Sequence, residues 1–328
     1  MLFRSSNQKE NEMKEIGGYF GLEEYEGREY HPDALALNTG RNCLRYLIRS
    51  KNIQKLALPV YDCGVVEATA LEEKVDIIHY DVAMDLTPLV SDIDEDAWLY
   101  LVNYYGQNTE EIRKIAEARQ NIIVDNAQAF FTEPMEKVDT LYTCRKYFGV
   151  PDGAYLYTDA PVMDLEEDHS GDRMKWINGR YEYSASRYFE DYRNGEDQLQ
   201  SLPIRKMSRL THDLLRPINY EAVRTGREQN FMRLDSALKN INQLKPVMPQ
   251  GPYMYPLLLK SKKAMKLRKY LVQHRIYSAT LWPKLLDQDP ESSAYRLAQG
   301  IVNLPCDQRY TAEDMDNIIQ TVFEGMGE

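Results

Sequence analysis

Six short apolar runs govern what this chain can fold into: Lys55–Val60, Val75–Tyr80, Trp98–Asn103, Ile122–Asp125, Val138–Thr143 and Ala154–Tyr157. A strand with one wet face alternates polar and apolar residues, whereas a strand covered on both faces stays apolar along its length. These runs are of the second kind, and helical spacing or turn chemistry separates them. Between the third and fourth, Asn108 precedes Thr109, Glu110 and Glu111, and Ile112, Ile115, Ala116 and Arg119 follow at helical spacing. Asn108 is expected to cap a crossover helix there, with Glu111 bonding back. The pattern predicts an α/β fold: a mainly parallel central sheet with helices on both faces.

A chain of 328 residues exceeds the size at which one core usually stops growing, about 250 to 300 residues, so two substructures are expected. Residues 1–15 are polar and read as a flexible terminus, residues 16–215 as a large domain and residues 216–328 as a smaller C-terminal domain. A long helical stretch, roughly Met207–Leu244 with an interruption at Arg216-Pro217, links the two. From Pro252 onward the spacing predicts a strand (Tyr255–Leu259), a helix (Lys262–His274), a strand (Ile276–Leu281), a helix (Ser292–Gln299), a strand (Ile301–Leu304) and a last helix, which Thr311, Glu313 and Asp314 would cap.

Charge and cysteine usage narrow the function. Forty Lys and Arg stand against 51 Asp and Glu, a net charge of −11, and such a field repels polyanions, so nucleic acid is not an expected partner. Cys43, Cys63, Cys144 and Cys306 are spaced singly and read as reduced thiols. The first fifteen residues lack the apolar core of a signal peptide, and no run approaches a membrane span of roughly 18 residues. The expected compartment is the cytoplasm, without membrane insertion. His31, His79, His169, His212 and His274 show no metal-ligand spacing, so no metal site is expected.

Three segments carry chemistry. In Leu37-Asn38-Thr39-Gly40-Arg41-Asn42-Cys43-Leu44 a glycine opens a helix, and the free N–H groups of a helix start, backed by the macrodipole, can hold an anion that Arg41 would also grip. The same residues also suit a plain cap by Thr39 or Asn38. In Ile122-Ile123-Val124-Asp125-Asn126-Ala127-Gln128 an apolar strand delivers a carboxylate to the carboxyl edge of the sheet, where open α/β folds bind ligands. A carboxylate buried there needs a cation, for example a protonated pyridine nitrogen, unless Asp125 merely caps the next turn. The third is Thr143-Cys144-Arg145-Lys146, just past a strand and ahead of Pro151-Asp152-Gly153. A lysine there can form a Schiff base if its amine is freed of its proton, though most lysines are solvated surface charges.

Taken with Gly17-Gly18-Tyr19-Phe20 before them, and Leu304-Pro305 and Thr311-Ala312-Glu313-Asp314 after them, these segments resemble the DegT/DnrJ/StrS family of pyridoxal-phosphate-dependent sugar aminotransferases over almost the whole chain. The resemblance implies fold type I architecture, pyridoxal 5'-phosphate (PLP) as cofactor, a homodimer with sites at the subunit interface, and an amino group moved from glutamate to a nucleotide-linked keto-sugar in cell-surface polysaccharide synthesis. By position it implies that Lys146 carries the cofactor and shuttles the proton, Asp125 pairs with the ring nitrogen and Gln128 donates to the phenolic oxygen. Gly40, Arg41 and Asn42, with Thr143, would form the phosphate cup, and Asp152-Gly153 the acidic-glycine turn. Cys63 occupies the position of the usual ring-stacking aromatic, with Tyr61 or Tyr105 as substitutes. Ile204 replaces the family's Asn ahead of Arg205-Lys206-Met207-Ser208, and Ala154 replaces a second glycine.

Arg205, Lys206 and Arg209, with Arg180 and Arg187, form the one basic concentration in the sequence. They read either as a dock for a sugar nucleotide's diphosphate, with Tyr105 as a further candidate substrate contact, or as helix-surface charge in weak pairs. The departures at Cys63 and Ile204 leave two further readings: a PLP-fold protein that binds or assembles without turnover, and a PLP enzyme with a non-sugar substrate.

Overall fold

A computed structural model describes residues 16–327; the terminus expected to be flexible, residues 1–15, lies outside them. Seven strands form the main sheet: β1 (Leu35–Leu37), β2 (Lys55–Pro59), β3 (Asp76–Tyr80), β4 (Trp98–Val102), β5 (Ile122–Asp125), β6 (Asp139–Thr143) and β7 (Ala154–Tyr157). Their spatial order is β1-β7-β6-β5-β4-β2-β3. The pairs β2–β3, β2–β4, β4–β5 and β5–β6 are parallel, and β7 runs antiparallel to both β6 and β1. Two antiparallel steps leave β1 parallel to β6, so β1, β2, β4, β5 and β6 all end on one edge. The order also reverses at β2, where the chain steps outward to β3 and then back to β4. A crevice outside the carboxyl ends is the usual ligand site in such a sheet.

Helices α1 (Gly40–Ser50), α2 (Gly64–Glu72) and α3 (Thr109–Ala118) make the crossovers. Helix α1 buries Cys43, Leu44, Leu47 and Ile48 in the main apolar core beside Leu56, Leu99, Ile123 and Leu141. Asn108 does stand at the start of α3, but it forms no side-chain cap there; its Nδ2 instead donates to the Leu86 carbonyl at 2.5 Å. The expected reciprocal cap is therefore replaced by a tie to the preceding loop. Gly153, with φ +112°, sits where a Cβ would come within 3.0 Å of the Thr211 side chain and 3.2 Å of the Cys144 sulfur, a place only glycine fills without strain. Its N–H donates to the Asn38 carbonyl at 2.7 Å, which ties the turn after β6 to the end of β1.

The charged, aromatic middle of the chain folds as α4 (Lys175–Glu182) and α5 (Phe189–Gln200), followed by α6 (Arg209–Leu215) and α7 (Tyr220–Leu238). The Arg216-Pro217 interruption separates the last two. Beyond them, β8 (Tyr255–Leu258) and β9 (Ile301–Leu304) form a two-stranded antiparallel sheet with α8 (Ser261–Gln273), α9 (Ser293–Gly300) and α10 (Ala312–Met326) around it. Phe231, Leu234, Leu257, Leu267, Met315 and Val322 close a separate core there. The reciprocal cap of α10 by Thr311 and Asp314 forms as expected.

The strand expected at Ile276–Leu281 is absent. The Ile276 N–H donates to the Leu271 carbonyl at the end of α8, and Arg275 and Trp282 on either side take left-handed backbone (φ 60° and 53°), so the segment is spent on turning. Strand β1, three residues long, carries no pattern that would announce it. Among the described residues no helix is long and apolar enough to cross a membrane.

Candidate active site

A cavity of about 200 Å³ opens at the carboxyl edge, where the N-terminus of α1, the loop after β2, the end of β5 and the turn after β6 converge. Gly40, Arg41, Cys63, Asp125, Thr143 and Lys146 all line it. These residues are up to 106 positions apart in sequence, and strand order alone accounts for their meeting.

Its anion end is the start of α1. Thr39 caps the helix, its Oγ1 accepting the Asn42 N–H at 3.1 Å. The N–H groups of Gly40 and Arg41 precede the first intrahelical bond and remain available to a ligand. The Arg41 guanidinium donates to the Leu199 carbonyl at 3.2 Å, which draws the end of α5 over the cavity. Thr143 closes the same end from β6.

Its acidic wall is Asp125, buried at the end of β5. Tyr100 on the adjacent strand donates its hydroxyl to Oδ2 at 2.8 Å, and the Ala127 N–H donates to Oδ1 at 2.7 Å. Among the described residues no cation pairs with this carboxylate. Two neutral donors hold its orientation and lower the cost of its burial, while its charge stays uncompensated. Ala127 and Leu141 supply one apolar wall, and Cys63, Val65 and Val66 another. A flat ring would be flanked there by aliphatic side chains and one thiol. Burial pushes the Cys63 thiol up, against the field of Lys146.

Lys146 lies in the turn that follows β6, its side chain open to solvent. Its Nζ is 5.8 Å from the centroid of the Tyr253 ring, and the residue lines both this cavity and a larger one beside it. Arg145, its neighbour, is paired with Glu196 of α5.

Other expected residues lie elsewhere. The Asn42 side chain faces away from the cup: Nδ2 donates to Asn38 Oδ1 and to the carbonyls of Leu202 and Pro203, and Oδ1 accepts from Arg45. Gln128 is buried, and its Oε1 accepts the Tyr105 N–H at 3.0 Å and supports the left-handed backbone of Tyr105 (φ 53°), while its Nε2, the donor the resemblance assigns to the phenolic oxygen, has no hydrogen-bond partner among the described residues. Neither tyrosine proposed to stack on a ring reaches the cavity. Tyr61 packs against Tyr104 and Trp282, and the Tyr105 hydroxyl donates to Asn303 Oδ1 at 2.7 Å, toward the C-terminal sheet. Both are large apolar bodies with a hydrogen-bonding tip, and the junction between the two cores takes them up.

Arg205 and Lys206 lie along the outer edge of the main sheet. The Asn38 N–H donates to the Arg205 carbonyl and the Met207 N–H to the Ala36 carbonyl, which extends β1 sideways. Arg205 faces Glu166 at 3.4 Å and Asp168 at 3.8 Å. The Glu166 partner is exposed, a weak surface pair, whereas the Asp168 carboxylate is buried. Ser208 and Thr211 donate to the buried carboxylate of Asp152, which anchors this segment to the turn before β7.

Tyr100, Ala127 and Glu196 escaped the reading of the sequence, as did Asp62. The Asp62 Oδ1 accepts the Cys63 N–H at 2.6 Å, while Oδ2 is enclosed without a partner. Burial first, then the charge of Asp125, holds its carboxyl well above the usual range. A tyrosine inside an otherwise apolar run, three residues before Asn103, was the available signal for Tyr100.

No protein-family model matches the chain, and no curated protein matches its sequence. Solved structures do match in fold. An aminotransferase of the DegT, DnrJ, EryC1 and StrS group from Brucella abortus aligns over 90% of this chain and 86% of its own, with a TM-score of 0.61 and 16% identity. NtdA from Bacillus subtilis with bound cofactor PMP covers 90% and 73%, with a TM-score of 0.66 and 13% identity. A sugar aminotransferase from Micromonospora echinospora covers 90% and 88%, with a TM-score of 0.62 and 15% identity. At these identities the likeness establishes the architecture: the chain has the fold of these proteins, that of the type I PLP-dependent transferases, with its seven-stranded, mainly parallel sheet.

Proposed function

We propose that this protein is a PLP-dependent aminotransferase that moves an amino group from an amino acid, glutamate being the expected donor, to a nucleotide-linked keto-sugar. One observation carries the reading. A single cavity gathers an exposed lysine amine, a buried carboxylate without a cation, and the free N–H groups of a helix start, each suited to a different part of one cofactor.

Gly40, Arg41 and Thr143 would hold the phosphate, Asp125 would face the protonated ring nitrogen, and Lys146 would carry the group covalently. Bound there, the cofactor would supply an electron sink for charge developing next to the substrate nitrogen. The chain's own residues do the rest. Tyr100 and Ala127 keep the Asp125 carboxylate aimed before any ligand arrives, so no reorganisation is needed during reaction. Lys146, whose side chain lines the cavity, would hold the cofactor and, when its amine is free, would move a proton at the substrate carbon as base and acid. The side chains of Val65, Val66 and Leu141, which line the cavity, would help to exclude water from it once it is filled.

Two further parts of the reading rest on the resemblance and the similar structures alone: a homodimer and a sugar acceptor. The test is to add PLP to the purified chain, look for the visible band of the lysine-bound cofactor, and follow its discharge by glutamate and its return on adding a keto-sugar nucleotide. A band that never discharges with any amino acid would refute turnover and leave a cofactor-binding protein.

A further inference from the structure

A second cavity opens on the same amine. It holds about 590 Å³, and its wall includes Arg145 and Lys146 from the turn after β6, Arg180 of α4, Arg227 of α7 and Arg309 beyond β9. Asp307 is the one carboxylate on that wall, in a chain whose formal net charge is −11. A basic concavity in an acidic protein draws anions and concentrates them locally.

The cations differ in what they can still bind. Arg145 is committed to Glu196. Arg227 is buried and spends its donors on Gln308 Oε1 and the carbonyls of Pro252, Tyr253 and Tyr147. Arg309 gives Nε and Nη2 to the two oxygens of Asp307, at 2.7 and 2.8 Å. That two-point grip fixes the plane of its guanidinium and leaves Nη1 open. Among the described residues no hydrogen bond or ion pair engages Arg180. Trp176 of α4 and Tyr192 of α5 complete the wall with aromatic faces. A fixed guanidinium with an open edge, a second free one, and an amine at the boundary with the first cavity suit a small ligand with two carboxylates.

We propose that this cavity binds the carboxylates of a dicarboxylic amino-acid donor, with Arg309 as the principal anchor and Arg180 as the second. Held so, the donor's amino group is delivered to the cavity in which Lys146 works. Naming the ligand as an amino donor rests on the aminotransferase reading; the anion site itself rests on the charge and geometry of the wall.

The test titrates glutarate, a dicarboxylate that cannot transaminate, into the full-length chain without cofactor, and follows Trp176 fluorescence with Trp176→Phe as background. Saturable binding is expected, with butyrate weaker by about tenfold or more and Arg309→Gln weakening glutarate by a similar factor, since a charged hydrogen bond is at stake. Arg309→Lys should recover part of the loss, and Arg180→Gln should weaken glutarate less. Absence of saturable glutarate binding, equal affinity in Arg309→Gln, or binding of pyrophosphate in preference to glutarate would overturn the proposal. The same variants are then loaded with PLP. If the visible band forms and glutamate discharges it with the same half-saturating concentration in Arg309→Gln as in the parent, the donor assignment fails and the cofactor reading stands. If glutarate binds as expected but no band ever forms, the anion site stands and the cofactor reading fails.

Discussion

The hydroxyl of Tyr100 reaches across the β4–β5 ladder to Asp125 Oδ2 at 2.8 Å, two residue pairs away from the point where Val102 sits beside Asp125. Parallel register therefore sets the carboxylate's second partner, while the Ala127 N–H supplies the first at 2.7 Å. Because the orientation is built into the sheet, the two donors separate into a catalytic and a positioning effect. Asp125→Asn should reduce turnover at saturating cofactor by about a hundredfold or more, on the scale of a lost preorganised charge. Tyr100→Phe, which keeps the charge and loses one donor, should reduce it by only about tenfold. Single-turnover kinetics on the loaded protein checks both, and an Asp125→Asn variant with parental turnover would contradict the role given to the carboxylate.

Thr39 links the fold to the anion end of the site. Its Oγ1 occupies the Asn42 N–H, so Thr39→Ala removes one cap and should cost about 1 kcal/mol of stability, read from urea unfolding. Arg41→Gln should leave stability within about 0.5 kcal/mol and weaken PLP binding by about tenfold. The pair of variants thus distinguishes capping from ligand binding at one helix start.

His31 makes stability depend on pH. It is buried among Phe130, Tyr142 and Tyr155, hydrogen-bonded to the Phe130 carbonyl at 2.9 Å and to the Tyr157 hydroxyl at 3.2 Å. Burial lowers its pKa to about 4, against a partial rise from the Phe130 carbonyl. The folded state thus holds a neutral ring and the unfolded state takes up a proton first, near pH 6.5. The contribution is fully present above pH 6.5 and is lost as pH falls toward 4, by about 3 kcal/mol. Thermal unfolding between pH 7 and 4 should show that slope, and His31→Gln should remove that part of it.

Asp62 has the opposite sign. Its folded carboxyl binds a proton more tightly than the unfolded one, because burial and the charge of Asp125 disfavour ionisation. The group favours the fold below the ordinary aspartate range, and that advantage is lost as pH rises through the raised folded pKa. Asp62→Asn should therefore stabilise the protein at pH 7, with the gain disappearing below about pH 4. A destabilised variant at pH 7 would show that the carboxylate is compensated.

Much of the fold was legible because burial on both faces leaves a continuous apolar mark, as in Ile122–Asp125 and Ala154–Tyr157. Strand β1 left none, since three residues at the sheet's edge carry too little pattern. The misread strand at 276–281 has the apolar content of one, but it lies between two left-handed residues that no composition announces. In the site, Gly40, Asp125 and Lys146 could be found because each sits where a strand ends or a helix begins. Tyr100 and Glu196 depend on lateral register and on the placement of α5, and Arg309 on the docking of the C-terminal sheet, none of which a local pattern encodes. Tyr105 went astray because its left-handed backbone, held by Gln128 Oε1, turns its hydroxyl toward the C-terminal sheet.

The most direct test is to incubate the chain with PLP, reduce it with borohydride and map the modified peptide by mass spectrometry. Stoichiometric modification at Lys146, with none in Lys146→Ala, is the expected result. Modification spread over surface lysines, or unchanged labelling in Lys146→Ala, would contradict the assignment of this cavity as a cofactor site.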